Sequence, residues 1–252
     1  MGRVDDRTIL ITGAAQGLGG TYARALAGEG ARVSICDVRD PAPLVAEINA
    51  AGGRAMGSVV DVTQPEAVAH WVARSEAEFG PPTVLINNAA WAGEGTPKSF
   101  MEISSAEWER VMSINARGFF ECAKAVVPLM RQRKYGKIVN ISSGTFFSGI
   151  PGRLHYVASK GAIVGFTRAL AREVGEDGIC VNCIAPGLTL SDNIRGKLAV
   201  LQAAREMEIK ARAFKRDQMP EDLVGAVIYF SSAASDFVTG QVLVVDGGMV
   251  MY

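Results

Sequence analysis

The stretch Thr8-Ile9-Leu10-Ile11-Thr12-Gly13-Ala14-Ala15-Gln16-Gly17-Leu18-Gly19 decides the fold. Five residues of unbroken β character run into a glycine-rich turn. The helical stripe Leu18, Tyr22, Ala25, Leu26 follows, and Gly30 stands where a C-terminal cap is expected. Glycine lets the backbone turn tightly and approach a ligand, and a helix N-terminus offers free N–H groups and the positive end of a dipole. The spacing is GxxxGxG rather than GxGxxG. Its position in the first strand–helix turn makes Gly13, Gln16, Gly17, Leu18 and Gly19 candidates for holding the pyrophosphate of a dinucleotide.

Outward from that unit, further apolar runs alternate with helical segments: 32–37, 54–61, 83–87, 137–142, 179–184 and 241–245. Each is nearly continuous in apolar character, as in parallel strands covered on both faces. The pattern predicts a doubly wound α/β fold of the Rossmann type, with a parallel sheet of about seven strands. No linker, composition shift or repeat divides the chain, so residues 1–252 read as one catalytic domain. Two segments, 107–130 and 156–170, are apolar most of the way round, which points to a covering layer or a second subunit.

Composition narrows the function. The 252 residues carry 26 Lys+Arg against 26 Asp+Glu, a balance that argues against a nucleic-acid partner. No apolar run approaches a membrane span, and the start, Met-Gly-Arg-Val-Asp-Asp, lacks the character of a signal peptide. Cys180-Val-Asn-Cys183 has CxxC spacing inside a strand-like run, where positions three apart point to opposite faces. With no clustered His, no metal site is expected. These features suggest a soluble, cytoplasmic protein with reduced thiols.

Three more positions fall at the expected ligand edge of the sheet. Asp37 ends the second strand, where a carboxylate accepts hydrogen bonds from ribose hydroxyls and repels a 2′-phosphate, favouring NAD over NADP, although Arg39 lies two residues on. Asp61-Val62 and Asn87-Asn88-Ala89-Ala90 end the third and fourth. The strand over 137–142 leads to Ser143, and thirteen residues later comes Tyr156-Val-Ala-Ser-Lys160. On a helix, i and i+4 share a face. An ordinary phenol is a poor base, and a neighbouring ammonium favours its ionised form. Such a pair can exchange the proton of an alcohol/ketone couple.

Together, Thr12–Gly19, Asn87–Ala90, Asn115, Ser143, Tyr156, Lys160, Pro186-Gly187 and Asp246-Gly247-Gly248 follow the order and spacing of the short-chain dehydrogenase/reductase family, which the whole chain resembles. The resemblance implies Tyr156 as general acid/base and Lys160 as the group that lowers its pKa and holds the nicotinamide ribose. It implies Ser143 orienting the substrate oxygen and Asn115 supporting a proton-relay water through its backbone. Gly13, Gln16, Gly17, Leu18, Gly19, Asp37, Asp61, Val62, Asn88, Ala89, Tyr156, Lys160, Pro186, Gly187 and either Thr189 or Ser191 would hold the cofactor. Ala90-Trp91 departs from the usual Gly and is expected to narrow the entrance. Gln16 replaces the basic residue of many NADP-dependent relatives.

Phe146, Phe147, Ile150 and Leu154 are expected to form an apolar wall for an aryl or cyclic secondary alcohol, with Arg153 a candidate partner for a substrate carboxylate. His155 is a candidate pocket lining and His70 a surface residue. The charged helical stretch within 188–216, with Leu198, Leu201 and Met207 on one side, resembles a substrate lid. The expected activity is NAD-dependent interconversion of a secondary alcohol and a ketone, in the manner of members acting on 1-arylethanols. The alternatives are a dehydrogenase of sugar-derived alcohols or hydroxy acids, a 3-oxoacyl thioester reductase, and a non-catalytic dinucleotide sensor. By the same resemblance the chain is a homo-oligomer, a tetramer, with the apolar tail Met249–Tyr252 docked on a neighbouring subunit.

Overall fold

A computed structural model describes residues 2–94, 96–196 and 198–251, apart from the side chains of Asn193 and residues 198–200. Tyr252 of the tail, Lys197 of the expected lid and the side chain of Leu198 in its stripe therefore lie outside the described residues. The strands are β1 (Thr8–Thr12), β2 (Arg32–Asp37), β3 (Arg54–Val59), β4 (Val84–Asn87), β5 (Gly136–Ile141), β6 (Ile179–Pro186) and β7 (Val242–Val245). The helices are α1 (Gly17–Gly28), α2 (Ala42–Ala50), α3 (Pro65–Phe79), α4 (Ser105–Met112), α5 (Gly118–Arg133), α6 (Thr145–Ser148), α7 (Leu154–Val174), α8 (Asp192–Arg195), α9 (Leu198–Ala211) and α10 (Val224–Ser231).

All seven strands are parallel, in the order β3-β2-β1-β4-β5-β6-β7. Successive side chains of a strand point to opposite faces, and both faces here are covered. Ile9 and Ile11 pack with Tyr22 and Leu26 of α1, Ile48 of α2 and Val227 of α10. Leu10, between them, packs on the other face with Trp71 of α3, Val126 of α5 and Val174 of α7. The strand order reverses direction between β1 and β4, and at such a point the loops leaving the two strands open a crevice at the carboxyl edge.

Several expected boundaries are corrected. β3 stops at Val59 because Asp61 turns the chain: its carboxylate accepts the Thr63 N–H at 2.9 Å and its carbonyl that of Gln64 at 3.0 Å. β6 continues to Pro186, two residues beyond the expected end. The single helix expected over 107–130 is divided by a wider π turn, Ser113–Arg117, which carries Asn115 inward. Part of the apolar surplus is absorbed within the chain, where Phe119 of α5 is buried against Ile163 and Val164 of α7, while Phe120 stays 47% exposed. Among the described residues, no helix is long and apolar enough to cross a membrane.

Candidate active site

The turn after β1 is shaped by missing side chains. Gly13 has φ +62°, and a Cβ there would lie 2.6 Å from Ala89 Cα. At Gly19 a Cβ would lie 2.4 Å from the Gly13 carbonyl oxygen and 2.6 Å from Asn88 Nδ2. This close approach is locked from the next strand. Asn88 Nδ2 donates to the Thr12 and Gly13 carbonyls at 3.0 and 2.8 Å, and Thr12 Oγ1 accepts the N–H groups of Asn88 and Ala89. The first-turn N–H groups of α1 have no intrahelical acceptors, so they face the crevice as donors.

Asp37 closes the far end of this cradle. Its carboxylate accepts the Ala15 N–H at 3.1 Å and the Arg39 N–H at 3.0 Å. Arg39 Nη1 in turn donates to Gln16 Oε1 at 2.5 Å. Val62 is buried against Gly118, whose missing Cβ would sit 2.7 Å from Val62 Cγ2.

At the end of β5, Ser143, Tyr156 and Lys160 come together. The Ser143 hydroxyl neighbours the Tyr156 phenol, and its Oγ accepts the Thr145 N–H at 3.2 Å. Lys160 is 2% exposed, its Nζ donates to the Ile141 carbonyl at 2.9 Å, and it stands 5.5 Å from the centre of the Tyr156 ring. Burial pulls the Lys160 ammonium down to about 8. Burial also pushes the Tyr156 phenol up, partly offset by the neighbouring Ser143 hydroxyl and the positive charge of Arg153. In this arrangement burial is the largest influence on the phenol, and the cation that offsets it is Arg153.

Asn115 is fully buried and its side chain is spent on positioning. Oδ1 accepts the Trp91 N–H at 2.8 Å, while Nδ2 donates to the Trp91 carbonyl at 3.0 Å and to Ser159 Oγ at 2.9 Å. Ser159 Oγ donates onward to the Tyr156 carbonyl at 2.7 Å. One amide thus ties the loop after β4 to the turn of α7 that carries Tyr156. The Trp91 ring lies beneath the Arg110 guanidinium, 4.5 Å from ring centre to cation.

The expected apolar wall divides. Phe146 and Phe147 meet edge to face, with centroids 4.9 Å apart. Phe146 covers Gly161, where a Cβ would be 2.9 Å from the ring. Gly161 is five residues beyond Tyr156, about 140° around the helix, so this ring flanks α7 on another side from the phenol. Ile150 is partly exposed and Leu154 exposed. Arg153 Nη1 donates to the Ala92 carbonyl at 2.7 Å.

Beyond β6, Pro186 and Gly187 dock by backbone on Gly144 and Val245. The helical stretch that follows is two pieces, α8 and α9. Thr189 Oγ1 is turned back onto the Gly187 carbonyl at 3.0 Å. Ser191 instead borders a cavity of about 700 Å³ shared with Gly17, Thr21, Leu190, Asp192 and Arg195. This cavity lies on the cradle side and does not reach Tyr156. The segment is clasped at its base. Glu208 accepts the Leu188 N–H at 3.0 Å, and Arg212, 2% exposed, donates to the Leu188 carbonyl and to Glu208, both at 2.8 Å.

Sequence reasoning missed Ser159, Glu107 and Arg212. Ser159 sits inside the Tyr-x-x-x-Lys spacing and was legible as a neighbour. Glu107 and Arg212 look like ordinary charges on amphipathic helices, and nothing in the sequence marks them as buried.

Residues 13–250 match the protein family described as Enoyl-(Acyl carrier protein) reductase. Among similar proteins, cyclopentanol dehydrogenase of Comamonas sp. is 37% identical over 253 residues, covering 98% of both chains. The 3-oxoacyl-acyl-carrier-protein reductase of Chlamydia trachomatis is 33% identical over 258 residues, covering 98% of this chain and 99% of that one. The crystal structure of levodione reductase superposes with a TM-score of 0.91 at 32% identity, covering 99% of this chain and all of that one.

Proposed function

The chain belongs to the short-chain dehydrogenase/reductase family, oxidoreductases that use a nicotinamide dinucleotide, and from that premise we propose that it interconverts a secondary alcohol and a ketone with NAD. The observation that carries this reading is the Tyr156 phenol set beside the Ser143 hydroxyl, with the Lys160 ammonium 5.5 Å from the centre of its ring. The cradle fits the cofactor: its glycines leave room that a single Cβ would fill, and Asp37 stands at its far end. When bound, the dinucleotide supplies the site where a hydride is taken up or released.

The chain's own residues would manage the proton. Tyr156 Oη passes a proton to or from the substrate oxygen, and Ser143 Oγ holds that oxygen by a second hydrogen bond. A phenol pushed up by burial is a ready donor for ketone reduction. In the oxidation direction it must lose its proton, and the positive charge of Arg153 favours that loss. Lys160 and the first turn of α1 would grip the cofactor, with Asp61, Val62 and Ala89 along the adenosine side. Of the two hydroxyls after Pro186-Gly187, Ser191 is the better candidate for the nicotinamide end, because Thr189 is bonded within its own turn.

Residues 188–216 would form the lid of one catalytic domain. The exposed Phe120, Phe237 and Met251 support assembly into a homo-oligomer, and four free buried thiols support a cytoplasmic setting. A second substrate reading rests on Arg153: its charge acts on the Tyr156 phenol, so a substrate bearing a carboxylate, such as a hydroxy acid, would find a partner there.

The test is a panel of cyclopentanol, 1-phenylethanol, a polyol and a hydroxy acid with NAD⁺ and NADP⁺, and a 3-oxoacyl thioester with the reduced forms. Tyr156→Phe is expected to lower kcat by about 10³ with the cofactor still bound. Activity within a few-fold of wild type would overturn the assignment.

A further inference from the structure

Glu107 is 6% exposed, although no step of the proposed reaction uses it. Its Oε2 pairs with the Lys98 ammonium. Its Oε1 accepts the Glu94 N–H at 2.9 Å and meets His155 Nε2 at 3.1 Å. A carboxylate only accepts, so the imidazole hydrogen resides on Nε2. The other ring nitrogen, Nδ1, is buried and makes no hydrogen bond among the described residues. Gly93, at φ +93°, brings the backbone so close that a Cβ would lie 2.5 Å from His155 Nε2 and 3.0 Å from Glu107 Oε1.

The same loop is fastened at further points. Lys98 N–H donates to the Gly152 carbonyl at 3.0 Å, Gly152 packs on Pro97, and Arg153 holds the Ala92 carbonyl. These fastenings run to α4 or to the residues that lead into Tyr156, while Trp91 at the start of the loop is held by Asn115 of the π turn. Burying an ion pair rarely adds stability over a well-packed apolar substitute, so its presence needs another explanation. What this pair does here is fix a loop that leaves β4 at the carboxyl edge, where a substrate must lie.

We propose that Glu107 is a specificity-determining positioning residue: through Lys98, His155 and the Glu94 amide it latches residues 91–94 and 96–98 into a fixed wall beside Tyr156, and so limits the bulk of the substrate. The inference rests on Tyr156 being the proton donor. Glu107 touches neither substrate nor cofactor and acts only through the loop.

Two variants test it: Glu107→Gln, which keeps the shape, and the paired Glu107→Leu with Lys98→Met, which removes both charges together and so leaves no unpaired one. In each, amide hydrogen exchange over 91–98 is expected to quicken about tenfold or more relative to wild type. The ratio of kcat/KM for a bulky aryl ketone to that for cyclopentanone is expected to rise about tenfold, with the Kd for NADH within twofold. Unchanged exchange, or parallel losses on both ketones, overturns the proposal. If wild type turns over neither ketone, the reading of Tyr156 fails instead. Exchange then decides the latch alone, quickened exchange upholding it and unchanged exchange overturning it.

Discussion

At the carboxyl ends of β1 and β4 the crevice is built from backbone, whereas at the end of β5 and the start of α7 it is built from side chains. The first region depends on atoms that are missing: Gly13 and Gly19 let the chain lie where any Cβ would collide with Ala89, Asn88 or the Gly13 carbonyl. The second depends on atoms that are present and already partnered: Ser143 with Thr145, Lys160 with Ile141, Asn115 with Trp91 and Ser159. A site that must follow a ligand's shape is damaged by addition. A site that must move one proton is damaged by deletion.

The contrast can be broken by experiment. Tyr156→Phe deletes one oxygen, and the loss of about 10³ in kcat expected of it is the largest effect. Gly19→Ala adds one carbon and is expected to cost about 3 kcal/mol in strain that falls on cofactor binding, raising the Kd for NADH roughly a hundredfold. Its kcat at saturating cofactor should stay within a few-fold of wild type. If kcat falls and Kd holds, the division between the two regions is wrong. Asp37→Ser removes a charged acceptor from the end of the cradle and is expected to lower kcat/KM for NAD⁺ by roughly ten- to a hundredfold, with little change for NADP⁺. Steady-state kinetics with both cofactors checks this.

The smallest effect sharpens the side-chain region. The Lys98 ammonium, the Glu94 amide and His155 hold the Glu107 carboxyl at about 2, below its ordinary 4.5. Between those values the unfolded chain binds a proton that the folded protein does not. The stabilisation is therefore complete above about pH 4.5 and is lost as the pH falls towards 2. Urea denaturation at stepped pH should show a shallower acid decline in Glu107→Gln than in wild type.

How much was legible follows the same division. β1 and β2 were read to the residue, because apolar runs covered on both faces end where Gly13 and the Asp37 turn change the chemistry. The spacing Tyr156–Lys160 fixed their common helix face. The break at Ser113–Arg117 was not legible, since the apolar pattern continues through it and the cause is a distant anchor, Asn115 on Trp91 and Ser159. The direction of Phe146 was not legible, because no periodicity governs side-chain direction in the short stretch after β5. Glu107 stands three residues after the capping Ser104, where an acid is ordinary. Only the folded loop over it reveals the burial.

The clasp at the base of the 188–216 segment has a consequence for how such a protein diversifies. Leu188, where the segment leaves the sheet, is gripped through both its N–H and its carbonyl by Glu208 and Arg212, near where the segment returns. The residues between form a closed circuit whose two ends meet on one another. Lengthening such a circuit costs little, because closure entropy grows only slowly with length. The segment is in effect a cartridge: it can be lengthened or rewritten while the seven strands beneath keep their order.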